Sequence, residues 1–271
     1  MTGAATHWHA PRSLREALDL REDYGDETVV VAGGTFLGVL INNGVLAPEA
    51  MLSLRDVPEL RRIEIGRELT LGAMVTHREV ENHPEVRRLW PALAHMFSLV
   101  ASPRIRNRAT VGGVLADADY ASDPPSMLAA LGARVVLEGP RGRRELPVED
   151  FILGLYETAI GSDELLTSVV VPGGHEAAVY RKFRTRSHED RPCVSVAAAR
   201  HSGRLRVVVG AAAMQPQFFP DVCGMGASPR EIADEYAGRI DALSDARGSA
   251  EYRRRVVAVE VRRAIEETHH G

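Results

Sequence analysis

Lysine is almost missing from this chain: of its 33 basic residues only Lys182 is lysine, and the rest are arginine. A compact ammonium and a planar guanidinium are not interchangeable, so the one position that keeps lysine asks for a reason. Cysteine is scarce as well. Cys193 and Cys223 are too few for an iron–sulfur cluster of the usual four-thiolate type within this chain. Well separated in sequence, they read as small core residues and not as a disulfide. No apolar run approaches the roughly 20 residues that cross a bilayer. The start, Met1 to His9, has neither the basic end nor the apolar centre of a secretory signal, so a cytoplasmic location is expected. A net charge of −4 offers no general attraction to nucleic acid.

Several familiar site patterns are missing too. No G-x-G-x-x-G follows a strand, and there is no Walker-type G-x-x-x-x-G-K, H-E-x-x-H, C-x-x-C or nucleophile elbow. Gly224-Met225-Gly226 has Pro229 where a third glycine belongs, which disfavours a Rossmann site. A calcium loop counted from Asp117 fails at Ala121 and Ser122, where an oxygen ligand and glycine are required. No metal site is expected.

What the chain does have is length and alternation. Its 271 residues, 45% hydrophobic and 26% charged, suffice for one large domain or two modest ones with a substantial core. Helical rhythm is visible over 11–20, 36–43, 77–80, 91–100 and 124–131; strand-like runs cover 28–32, 50–54, 69–73, 133–138 and 165–171. Strands and helices alternate without a regular βαβ repeat, which predicts an α+β fold. Pro172-Gly173-Gly174 punctuates the chain as a domain boundary. Beyond it come three strands, near 178–184, 194–200 and 205–213, and a final helix capped by Ser249. That helix has an apolar stripe of Tyr252, Val256, Val257, Val261, Ala264 and Ile265, with Arg253, Arg254, Arg255, Arg262 and Arg263 mostly outside it.

Two glycine doublets carry the chemistry. Gly33-Gly34 ends a strand and turns into a helix at Thr35, where unpaired backbone N–H groups can meet a phosphate that glycine lets approach. The same residues also suit a plain tight turn. Gly112-Gly113 stands behind Thr110 and three arginines, and two such loops can grip one diphosphate from both sides; a solvated basic loop is the other reading. On the gripping view, a carboxylate introduced at Gly33 or Gly112 stands where phosphate belongs. Between Asp117 and Asp123 an aspartate can accept from sugar or ribityl hydroxyls, or Asp123 can simply cap the helix that follows.

Five stretches occur together and in order: Val31 to Leu37, Ile105 to Gly113, Ala121 to Asp123, Tyr180 to Arg186 and Gly248 to Arg254. This pattern resembles the FAD-binding medium subunits of molybdenum hydroxylases, such as the carbon monoxide dehydrogenase medium subunit and the FAD-binding subunit of xanthine dehydrogenase. The resemblance implies a two-part FAD-binding region of the vanillyl-alcohol-oxidase-like (PCMH) type over 1–174, divided near residue 58. A small C-terminal domain over 175–271 would hold a three-stranded antiparallel sheet and helices. FAD would be cradled by Ala32, Gly33, Gly34, Thr35, Phe36 and Leu37 and by Thr110, Val111, Gly112 and Gly113. Asp119 and Asp123 would face sugar or ribityl hydroxyls, Leu166 the flavin pocket, and Lys182 the isoalloxazine. A fixed cation there would raise the flavin potential. Two departures stand out: Val114 replaces a polar residue, often asparagine, and Asp117 stands where histidine is common.

The same resemblance implies partners, a large molybdopterin subunit and a small subunit with [2Fe–2S] clusters. Electrons would leave FAD for an external acceptor, whether NAD, oxygen, quinone or a carrier protein. An autonomous FAD-dependent oxidase of the same fold and a flavin-free scaffold subunit are the competing functions.

Overall fold

The computed structural model describes residues 6–269; the first five residues of the N-terminal stretch, and His270 and Gly271 at the other end, lie outside them. Three sheets organise the chain. The first is parallel, with strands β1 (His7–His9), β2 (Thr28–Val31) and β3 (Ala50–Ser53) in the order β1-β3-β2. Parallel neighbours need crossovers, and Leu14–Tyr24 supplies the first. Its cap is Ser13, as the sequence suggests: the residue is extended and accepts from the Glu16 N–H, so the helix starts at Leu14.

The second sheet is antiparallel. It contains β4 (Ile63–Ile65), β5 (Glu68–Gly72), β6 (Arg134–Gly139) and β7 (Gly142–Pro147), with a short hairpin of β8 (Ile152–Gly154) and β9 (Glu157–Thr158) beyond it. Its centre is β10 (Leu165–Pro172), set between β5 and β6 in the order β4-β5-β10-β6-β7. Flanked on both edges and largely buried on both faces, β10 shows no alternation and is apolar apart from Thr167 and Ser168. Leu93, Met96, Phe97, Met127 and Phe151 fill the layer above it and are fully buried, each contributing roughly 1.5–3 kcal/mol.

The third sheet joins β11 (Ala177–Phe183), β12 (Val194–His201), β13 (Arg204–Gly210) and β14 (Gln217–Phe218) in sequence order. Alternation along β12 divides its work between two cores. Ala197 and Ala199 face the middle of the molecule, and Val194, Val196 and Ala198 face the C-terminal helices. The expected three strands are therefore four; Gln217–Phe218 is too short to leave a period in the sequence. A helix over Pro229–Arg239 was also unexpected, although Ser228 and Glu231 form a complete capping box at its start.

The last helix, Ala250–Glu267, corrects another expectation. Tyr252, assigned to the apolar stripe, is exposed, while Arg253 is wholly buried. The guanidinium survives there because it is fully used: it donates to Cys193 O at 3.1 Å, Leu243 O at 2.8 Å and Asp245 Oδ1 at 2.7 Å. Cys193 and Cys223 are both free thiols, in line with their reading as small packing residues. Replacing Arg253 by methionine roughly keeps the volume but takes the donor from three carbonyls and one cation from Asp245, which keeps Arg247 and Tyr120, so Arg253→Met is expected to cost about 3–5 kcal/mol. Urea unfolding of the variant checks this, and a loss under about 1 kcal/mol contradicts it.

Candidate cofactor site

Between the three sheets opens a cleft of about 1060 Å³. This is at the upper end of the roughly 300–1,000 Å³ typical of ligand pockets, and suits a long ligand. One wall is the turn after β2. There Gly34 has a φ of +70°, a left-handed conformation that favours glycine. Gly33 presses so closely on the next loop that an added β-carbon would strike the carbonyl of Arg108. Among the described residues, the N–H groups of Gly33, Gly34, Thr35, Phe36 and Leu37 have no protein acceptor, and Gly38 is the first to bond back, to Gly34 O at 3.0 Å.

The opposite wall is the helix Val111–Asp117, capped by the Thr110 hydroxyl, which accepts from the Gly113 N–H at 3.1 Å. Gly113 meets the first wall: a β-carbon on it would lie 3.4 Å from that of Ala32. The two glycine doublets therefore converge. Their chemistry differs, however. The amides of Val111 and Gly112 donate to Val75 O and Ala73 O, both at 2.9 Å, so with Gly113 on Thr110 this segment has spent its donors. A side chain at Gly112 would drive into Ala73 and one at Gly33 into Arg108. Substitution at either glycine thus breaks packing before it repels any phosphate.

Behind Thr110 lies His77, which donates from Nε2 to Thr110 O at 3.2 Å and packs on Phe97 with ring centroids 4.9 Å apart. Burial, only partly offset by that hydrogen bond, pulls its pKa down to about 4, so the ring is neutral near pH 7. At the far end of the same helix, burial and then the nearby Asp119 push the Asp117 carboxyl up to about 7.

Residues 4–174 match the family model described as the FAD binding domain in molybdopterin dehydrogenase. The chain belongs to this family. It is 34% identical to the nicotine 6-hydroxylase medium subunit of Paenarthrobacter nicotinovorans, covering 97% of each protein. It is 29% identical to the carbon monoxide dehydrogenase medium chain of Hydrogenophaga pseudoflava over 95% of each. Among solved structures, carbon monoxide dehydrogenase from Hydrogenophaga pseudoflava superposes with a TM-score of 0.92 at 29% identity, covering 99% of both chains. Quinoline 2-oxidoreductase from Pseudomonas putida 86 gives 0.88 at 28%, over 100% of this chain and 99% of the other. The α+β fold is thus that of the carbon monoxide dehydrogenase medium subunit, and FAD is the cofactor of the matched domain.

On this FAD-binding chain, Ala32 to Leu37, Thr110, Gly112, Gly113, Asp123, Leu166 and Lys182 all border the cleft. Val111 and Asp119 do not. Val111 is buried in the core, and Asp119 pairs with Arg191 and accepts from the Ala121 N–H at 2.9 Å. Asp123 occupies the cap position of the helix Pro124–Ala130, yet its side chain makes no cap bond. Its carboxylate instead takes hydrogen bonds from Tyr180 and Lys182. Sequence reading missed the bordering Arg191 and Arg247, which come from irregular loops, and Tyr180, which a strand-period reading pairs with Lys182 two residues on.

His77 supplies the pH dependence. Its folded pKa lies below the unfolded value, so the unfolded chain gains a proton first, and stability is lost as pH falls from about 6.5 towards 4, by roughly 3 kcal/mol in all. Chemical denaturation at pH 7 and pH 4.5 should show a smaller acid loss in His77→Gln than in the wild type. Equal losses would show that this ring is not a source of the acid sensitivity.

Proposed function

We propose that this chain is the flavin relay of a molybdenum hydroxylase. It takes electrons from a [2Fe–2S] cluster on a small partner subunit and hands them through FAD to an external acceptor. Substrate oxidation takes place on a large molybdopterin subunit. Two cysteines cannot supply the thiolates of such clusters, so the clusters belong on another chain. The cofactor supplies one- and two-electron chemistry, while the protein positions it and sets its electrostatics.

The observation that carries the FAD assignment at residue level is the run of five backbone donors from Gly33 to Leu37, on residues that line the cleft and with no acceptor among the described residues. Backbone N–H groups held in a turn meet a diphosphate with little reorganisation, which makes this loop the donor face. The second doublet acts through close approach and the capped helix N-terminus, because its own amides are engaged. The Phe36 ring, 5.5 Å from that of Tyr156, shields one end of the cleft. Leu166 offers an apolar surface to a planar ring. Arg191, paired to Asp119, ties the loop after β11 across the opening.

FAD titration of the purified chain tests this reading. One FAD is expected to bind per chain with quenched fluorescence, and the bound flavin should stay oxidised when simple organic substrates are added anaerobically. A chain that takes up no flavin supports the scaffold reading. Reduction by a substrate without partners supports the autonomous oxidase.

A further inference from the structure

Lys182 lies on the cleft wall but is almost wholly buried, with its side chain 1% exposed. Its Nζ donates to Leu99 O and to Asp123 Oδ2, both at 2.9 Å. An ammonium has three donors, and among the described residues the third has no protein acceptor. On the other carboxylate oxygen, Tyr180 donates to Asp123 Oδ1 at 2.6 Å. Tyr180 and Lys182 alternate along β11 and so share a face; both reach the start of the helix Pro124–Ala130. Beneath them the hydroxyls of Ser126 and Ser195 lie 3.2 Å apart, closing the network on its buried side.

We propose that Tyr180 and Asp123 are positioning residues: they hold the Lys182 ammonium at one point of the cleft with an N–H to spare, biasing the cleft towards the more negative, reduced form of its cofactor. The inference rests on the reading of the cleft as the FAD site. Each member supports the charge of the next. Burial pushes Asp123 towards its neutral acid and Lys182 towards its neutral amine, and the pair opposes both tendencies. Tyr180, kept neutral by burial and by Asp123, stabilises the carboxylate with a short charge-assisted hydrogen bond. The neighbouring charges on this group, Arg184 and Asp190, are opposite in sign and belong to the loop that leaves β11. The geometry also accounts for the lone lysine. A compact ammonium gathers a carbonyl and a carboxylate around one nitrogen and leaves its third donor for the cleft, whereas a guanidinium spreads its donors over three nitrogens in one plane.

The test compares binding of oxidised FAD and of dithionite-reduced FAD, anaerobically, in wild type, Lys182→Met and Tyr180→Phe. Lys182→Met should weaken the reduced form about tenfold more than the oxidised form, a drop of about 30 mV in the potential of the bound two-electron couple. Tyr180→Phe, nearly the same size and with Lys182 intact, should move the ratio in the same direction by about threefold, with circular dichroism unchanged. A merely structural role would weaken both forms equally, and an unchanged ratio in both variants overturns the proposal. If wild type binds neither form, the cofactor reading fails and takes this inference with it; if it binds both and the ratio never moves, only the inference fails.

Discussion

The carbonyl of Arg108 occupies the space that a β-carbon on residue 33 would need, and the cleft has its shape because residue 33 has none. That contact brings the turn after β2 against the loop before the helix Val111–Asp117. Gly113 repeats the arrangement by resting on Ala32. The two backbones touch there, and the five residues from Gly33 to Leu37, whose amides have no acceptor among the described residues, line the cleft. The sheets supply the anchorage: β2 ends in the parallel layer, while Thr110 is bound to the antiparallel layer through Thr76 and His77.

Several charges buried in the fold are handled in the same manner. Arg253 is held by four acceptors, Arg106 by Glu81 and two carbonyls, and Asp123 by Tyr180 and Lys182. An unpaired buried charge costs several kcal/mol, so saturation is what permits these groups inside. Lys182 differs in degree: its ammonium has two protein acceptors, Leu99 O and Asp123 Oδ2, on a residue that borders the cleft. The third sheet has one face of β12 in each core and Lys182 on its neighbour β11.

Much of this was legible in the sequence because it is local. Glycine doublets mark turns, apolar runs mark β10, Ser249 marks a cap, and the lone lysine marks itself. What stayed hidden depends on partners far along the chain. Whether the Gly112 amide is free is decided by Ala73, and whether Asp123 caps a helix or holds a lysine is decided by β11. Arg253 looked like a surface residue because periodicity reports side-chain type; the acceptors that let it go inside come from Cys193, Leu243 and Asp245. The two-residue β14 is below the length at which a period can be recognised, whereas the Ser228–Glu231 capping box stands in the sequence and was missed.

The central claim is that the turn after β2 donates its amides to the cofactor while the second doublet has none to give. Residue-resolved amide hydrogen exchange with and without FAD measures this directly. The amides of Gly33 to Leu37 should exchange fast in the free chain and slow markedly on adding FAD, with Val111 and Gly112 slow in both states. Unchanged exchange from Gly33 to Leu37, with FAD-dependent protection confined to Gly112 and Gly113, would contradict the account.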